Sequence, residues 1–323
     1  MAMDLLSDVL RVARLTGGVF LRANFSAPWC IASQMAPEMC APFLKPSKHL
    51  IQYHFIVEGS PDVCIAGRPE TTVKLQPNEV VILPHNDVHH LGSDLSLAVV
   101  NSADLAVPTE DGMYQVTYGG GGAPVRMICG FLGCDFAYGN PVLMNLPPIL
   151  RLPVAGEGDG DWIRSTFLYA AHEIAGGRPG SETVLAKLSE LLFIEAVRRH
   201  VATLDEGATG WLAGLRDPYV SRTLALFHGD IARPWTMDEL AREVGLSRSA
   251  LADRFQRLIG QPPMSYLARW RMDVAAQHLR STNQSLAQVA NAVGYEAEAA
   301  FSRAFKKTFD VAPATWRRME ASA

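Results

Sequence analysis

Charge is scarce in this chain. Only 19% of its 323 residues are Asp, Glu, Lys or Arg, and aromatic residues make up 8%. With 48% hydrophobic residues, it holds too much apolar material to remain disordered. Cysteine is scarce as well. Cys30, Cys40, Cys64, Cys129 and Cys134 are an odd number in a long chain, which argues against a disulfide scaffold. No apolar run approaches the roughly 18–20 residues that a membrane-spanning helix needs. At the start of the chain Asp4 and Asp8 interrupt Leu5, Leu6, Val9 and Leu10, so no signal peptide is expected there. What remains is a chain of about two or three domains, expected in the cytoplasm.

The little charge present is unevenly placed. Residues 1–218 hold 15 Lys and Arg against 23 Asp and Glu, a net of −8, whereas residues 219–323 hold 14 against 10, a net of +4. A basic C-terminal third points to a polyanionic partner. Texture changes along the same axis. From about 18 to 146, short alternating or apolar runs such as Gln52–Glu58, Glu79–Leu83 and Leu95–Val100 are separated by Gly, Pro and Asn, which predicts an all-β sandwich or barrel. Residues 156–160 read as a linker, and 161–175 and 181–204 as helices broken apart by Gly176–Gly180. The expected division is therefore a β domain over 1–150, a helical connector over 151–215 and an all-α domain over 216–323.

Within that all-α domain the sequence repeats itself. Thr236 with Glu239, and Ser285 with Gln288, are two capping boxes, in which hydroxyl and acid or amide satisfy the orphan N–H groups of a helix start. Leu240, Ala241, Val244 and Gly245 recur at an offset of 49 as Val289, Ala290, Val293 and Gly294, each glycine ending a short helix. Past the turn the offset becomes 50, and Leu251, Phe255 and Pro263 recur as Phe301, Phe305 and Pro313. Each copy is a helix, a turn and a second helix with one apolar stripe, the layout of a helix-turn-helix. Between them a helix over about 264–280, with Leu267, Trp270, Val274, Ala275 and Leu279 inward, forms a spacer.

The stretches ARPWTMDELAREVGLSRSALADRFQRLIGQPPMSYLARWRM and SLAQVANAVGYEAEAAFSRAFKKTFDVAPATWRR resemble the DNA-binding domain of the AraC/XylS family of bacterial transcription regulators. The resemblance covers about 217–319. It implies seven helices, two recognition helices in successive major grooves of promoter DNA, a homodimer, and contact with RNA polymerase. On the first recognition helix Arg248, Ser249, Ala252, Asp253 and Gln256 face outward, with Arg248 and Gln256 suited to guanine and adenine edges, and phosphate or solvent as the alternative. On the second, Glu298, Ser302, Arg303 and Lys306 face outward. Arg303 is placed to read a base, and Lys306, Lys307, Arg317 and Arg318 to hold phosphates. Ala297 stands where a capping Ser or Thr is expected. Arg271, beside the spacer's stripe, is expected in a structural ion pair.

The N-terminal part holds NEVVILPHNDVH at 78–89, which resembles the second cupin motif with Asn78 and Asn86 in its glycine places and His89 at its metal-ligand position. The first motif is degraded: Gln52 occupies the glutamate place, and Pro46 and Lys48 the histidine places. Strand alternation puts Gln52, His54 and Ile56 on the interior face. His54, His89 and Cys129, with His85 as a fourth, could then hold zinc or a related divalent ion. The alternative is a set of hydrogen-bonded residues lining a small-molecule pocket. The helix over 181–204 has an apolar face of Leu185, Leu188, Leu192 and Val197, suited either to dimerisation or to packing on its own barrel.

The fold class expected is α+β in two domains: a cupin-like β-barrel with a helical connector, then an all-α domain with two helix-turn-helix motifs. The function expected is a sequence-specific transcription regulator, not an enzyme, responding to a small molecule or metal in the barrel. The alternative, a cupin metalloenzyme with an accessory DNA-binding domain, suffers from the missing ligands of the first motif.

Overall fold

The computed structural model describes residues 15–35, 49–109, 114–134, 140–154 and 181–321, with isolated positions over 5–9 and 162–169. The expected linker 156–160, most of the expected helix 161–175, and Pro46 and Lys48 lie outside the described residues. The chain falls into two compact units, Arg14–Asp135 with Leu146–His200, and Val201–Ala323 with Met1–Ala13 and Phe136–Asn145.

The first unit is two facing sheets. Its strands are β1 (Leu15–Ser26), β2 (Cys30–Ser33), β3 (His49–Glu58), β4 (Asp62–Ile65), β5 (Arg68–Lys74), β6 (Glu79–Leu83), β7 (His89–Gly92), β8 (Val100–Asn101), β9 (Ala106–Pro108), β10 (Tyr114–Gly119), β11 (Pro124–Cys134) and β12 (Leu150–Pro153). Seven pair in the order β12-β6-β3-β11-β1-β10-β9, and five in the order β5-β4-β7-β2-β8. Between them lies one apolar core, to which Ala23, Phe25, Ile56, Val81 and Met127 come from the larger sheet and Ile31, Val63 and Leu91 from the smaller. Burial of this layer on both inner faces is what holds the sandwich, in the barrel-like arrangement of a cupin.

Asn78 (φ 62°) and Asn86 (φ 54°) take the left-handed backbone that the motif's glycine places require, so the two substitutions preserve both turns. The strand expected over 95–100 shrinks to Val100–Asn101. The Asp94 side chain accepts from both the backbone and the hydroxyl of Ser96 (2.9 and 2.7 Å), closing a local turn that competes with extension. A helix of 23 residues, α2 (Ser181–Thr203), follows the short α1 (Pro141–Asn145) in chain order. Tyr53, facing away from the sandwich interior, meets Ser189 of α2 at 2.9 Å. Leu185, Leu192 and Val197 are buried within the chain, so this face packs at home, the second of its two expected uses.

The second unit is helical: α3 (Trp211–Gly214), α4 (Pro218–Gly229), α5 (Met237–Val244), α6 (Arg248–Ile259), α7 (Pro263–Ser281), α8 (Leu286–Ala292), α9 (Glu298–Phe309) and α10 (Pro313–Ala321). From α4 onward these are the seven helices that the family resemblance implies. Both capping boxes form: Glu239 N–H donates to Thr236 Oγ1 (3.2 Å) and Gln288 N–H to Ser285 Oγ (3.2 Å). Gly245 (φ 79°) and Gly294 (φ 80°) make the left-handed turns between paired helices. Leu251, Phe255, Phe301 and Phe305 are fully buried, while Leu258 and Phe309 are half-buried. Arg271 has backbone partners where an ion pair was expected: it donates to the carbonyls of Ile231 (2.9 Å) and Arg233 (2.8 Å), pinning the loop before α5.

Candidate functional site

Two faces of the molecule have chemistry to offer. On the helical unit, α6 and α9 occupy equivalent places in the repeat and turn equivalent positions outward. On α6, Arg248, Ser249, Asp253 and Gln256 are exposed and Ala252 is half-buried; on α9, Glu298, Arg303, Lys306 and Lys307 are exposed and Ser302 is half-buried. The offset of 50 pairs Arg248 with Glu298, Ala252 with Ser302, Asp253 with Arg303 and Gln256 with Lys306, and two of these pairs invert the charge: Arg248 opens α6 where Glu298 opens α9, and Asp253 stands where Arg303 stands. Two heads with one backbone thus present different charge patterns to whatever they touch.

Their entries differ too. Ser247 caps α6, accepting from Ala250 N–H at 3.2 Å, while Ala297 brings no side-chain cap to α9. Arg248 lies 3.8 Å from Asp238, an exposed pair too solvated to hold it against a better partner. Arg254 faces inward and bonds Asp217 at 2.6 Å, the residue that caps α4, so it fixes α6 to its neighbour. Arg317, expected on phosphate, is occupied otherwise: its guanidinium donates to the carbonyls of Leu279 (3.3 Å) and Gln284 (2.6 Å), joining α10 to the end of α7. Arg257, exposed in the last turn of α6, was not singled out from the sequence; the same offset matches it with Lys307.

The second face is the barrel interior. His54 of β3 and His89 of β7 meet across the two sheets with Nε2 atoms 2.9 Å apart. Nδ1 of His89 lies 3.1 Å from the Asp87 carbonyl, so it carries the proton, leaving Nε2 to accept. His54 Nε2–H is therefore the donor. Burial pushes the His54 imidazole well below its usual range and His89 down to about 4, and the pair is neutral at physiological pH. Beside them Gln52 Nε2 donates to Ser33 Oγ at 3.2 Å. Two acceptors on this face, Gln52 Oε1 and His54 Nδ1, are buried with no partner among the described residues.

The metal site expected from His54, His89, Cys129 and His85 is not assembled. Among the described residues no group of three His, Cys, Asp or Glu side chains converges. His54 and His89 spend their facing nitrogens on each other, and His85 Nε2 bonds the Leu146 carbonyl at 3.1 Å. Cys129 lies directly across from His54 on β11, but burial without a nearby cation pushes its thiol up, away from the thiolate a metal needs. The donor set does not fit a zinc-type centre.

Comparison with known proteins agrees with both halves. Residues 4–202 match the Cupin family and residues 240–319 the helix-turn-helix domain family. A putative AraC-like transcription regulator of Streptomyces lividans is 31% identical over 98% of this chain and 98% of its own. The transcriptional regulator AlkR of Acinetobacter baylyi is 29% identical over 82% of this chain and 87% of its own. An AraC-type regulator structure from Chromobacterium violaceum shares 29% identity over 34% of this chain and 96% of its own, with a TM-score of 0.32. With a cupin domain over its first half, two helix-turn-helix motifs after it and a relative of this kind along its whole length, this chain belongs to the AraC-like transcription regulators.

Proposed function

We propose that this regulator reads an asymmetric promoter site with α6 and α9 and takes a small organic effector into the polar layer between its two sheets. The observation that carries the first part is the pair of equivalent exposed helix faces with unlike charges. Arg248, Gln256 and Arg303 have the reach and donors for base edges, while Arg257, Lys306 and Lys307 sit where phosphates would pass. Ser249, Ala252, Asp253, Glu298 and Ser302 shape the same surfaces. Arg317 stays with the protein's own carbonyls.

The second part is supported by Gln52 Oε1 and His54 Nδ1. Two buried acceptors without donors favour an effector that brings hydrogen-bond donors over a carboxylate. The protein acts in the cytoplasm as a homodimer, for which Val184 and Leu191, the exposed apolar residues of α2, are the available contacts. A regulatory rather than catalytic role is supported by the relatives, which are transcription regulators.

The test is DNA binding as a function of salt and sequence, on a duplex enriched from a random library. Arg303→Ala should lower affinity for the enriched duplex by about 1–3 kcal/mol and leave random duplex nearly unchanged. Lys307→Ala should weaken both alike and reduce the slope of log affinity against log salt by about 1. Equal losses for Arg303→Ala on both duplexes would remove it from base reading.

A further inference from the structure

The turn 140–145 lies in sequence between two strands of the barrel, β11 and β12, yet it is packed within the DNA-reading unit, where α1 contacts α3. Its own geometry is self-contained. Asn140 Oδ1 accepts from the backbone N–H groups of Val142 (2.9 Å) and Leu143 (3.2 Å), starting α1, and Pro141, Val142 and Leu143 are buried. Asn145 closes it, donating from Nδ2 to the Pro141 carbonyl at 2.8 Å.

That bond also aims the other end of the Asn145 amide. Helix α3 begins at Gly210, which has no side chain to cap it. The Trp211 N–H, one of the orphan donors of a helix start, is instead directed at Asn145 Oδ1, 3.4 Å away and 66 residues earlier in the chain. Gly210 has φ 102°, and a Cβ there would come within 3.3 Å of the same oxygen. The Gly210 N–H then donates to the Leu258 carbonyl at 2.7 Å, in the last turn of α6. One turn along, Gly214 leaves room for Ile259 of α6, whose Cδ1 would lie 2.6 Å from an added Cβ. The Trp211 indole donates to Tyr266 Oη of α7 at 2.9 Å, so α3 is gripped from both sides.

We propose that Asn145, though it belongs in sequence to the sensor, is a positioning residue for the first recognition helix: by capping α3 from outside it fixes Gly210, and through Gly210 the C-terminal end of α6. This rests on α6 being a DNA-reading helix. In sequence the turn stands between β11 and β12, so a segment of the sensor's own sequence sets the end of the first recognition helix.

The experiment uses full-length protein with Asn145→Ala and Asn145→Asp; Asn145 is exposed, so neither should disturb folding. Affinity is measured for a duplex enriched from a random library by the parent and for random duplex, with hydrogen exchange followed over residues 210–215 and over β3. Asn145→Ala should weaken the enriched duplex by about 3–10-fold, the size of one helix cap, and random duplex by less than about 2-fold. Exchange over 210–215 should quicken while β3 stays as in the parent. Asn145→Asp keeps an acceptor for Trp211 but loses the donor to the Pro141 carbonyl, so it should fall between Asn145→Ala and the parent in both readouts. Unchanged affinity for the enriched duplex, or a parallel loss on both duplexes, would overturn the proposal. A parent protein that enriches no sequence would instead sink the assignment of α6 as a reading helix, and unchanged exchange over 210–215 would still remove the cap.

Discussion

Acidification should loosen the barrel through its buried histidine pair, and the size of the effect follows from the geometry. His89 is fully buried, its Nδ1–H bonded to the Asp87 carbonyl and its Nε2 accepting from His54. Asp87 and His90 are its nearest charged or titratable neighbours besides His54, and neither outweighs burial, which holds His89 near 4. In the unfolded chain an imidazole titrates near 6.5. Between those values the unfolded state binds the extra proton, so stability falls as pH falls, beginning below about 6.5 and levelling off near 4. At pH 4.5 the difference in proton uptake for His89 alone amounts to about 2.5 kcal/mol, and His54, depressed further, adds to it. Because the chain has two units, the measurement should be local: hydrogen exchange over β3 and β7, corrected for intrinsic rates, at pH 7 and pH 4.5. The opening free energy of those strands should drop by about 2.5 kcal/mol or more in the parent, and by about that much less in His89→Gln, which keeps polar atoms but cannot charge. Equal drops in parent and variant, or a change below about 1 kcal/mol in the parent, would refute the neutral-pair assignment. His228 offers an internal comparison: burial lowers it to about 3, so α4 should lose a similar amount by the same pH.

Other outcomes can be checked on the helical unit. Phe301→Ala removes a fully buried ring from the second head's core and should cost about 3–5 kcal/mol, read as a lower midpoint in urea denaturation. Ala297→Ser supplies the missing cap on α9 and should raise stability by about 0.5–1 kcal/mol, seen as slower exchange in its first turn.

The repeat made the helical half legible. Capping boxes, turn glycines and apolar stripes are local rules, each satisfied within a few residues, and the structure forms them at the positions the spacing requires. In the barrel, alternation identified the inward face of Gln52, His54 and Ile56 and brought His54 to His89. Alternation assigns a face, however, and not what a side chain bonds there. His85 finds a carbonyl instead of a metal, and Cys129, one strand from His54, is left a protonated thiol. Arg317 shows the same limit on the surface: a basic residue near other basic residues reads as a phosphate contact, until the carbonyls of Leu279 in the last turn of α7 and of Gln284 in the loop beyond it claim it. The packing of 140–145 within the helical unit depends on contacts 66 residues apart and has no local signature.

The charge inversion between the two heads leads to the most direct test of how they divide their work. Arg248 and Glu298 each open a recognition helix, and Asp253 and Arg303 each lie five residues further on. An arginine at a helix start and one in its middle meet different base pairs, and an acidic residue excludes phosphate or selects a cytosine amino group. The halves of the site should therefore differ in sequence although the heads share a fold. Arg248→Glu combined with Asp253→Arg gives the first head the second head's charges at the two positions where they are inverted. The exchange lies on exposed positions, so its cost in stability should be under about 0.5 kcal/mol. Selection from a random library should then return a site whose first half has moved toward its second, with the second half unaltered. An unchanged motif would mean that Arg248 and Asp253 do not read bases and that the first half's preference comes from the shape of the DNA between phosphate contacts.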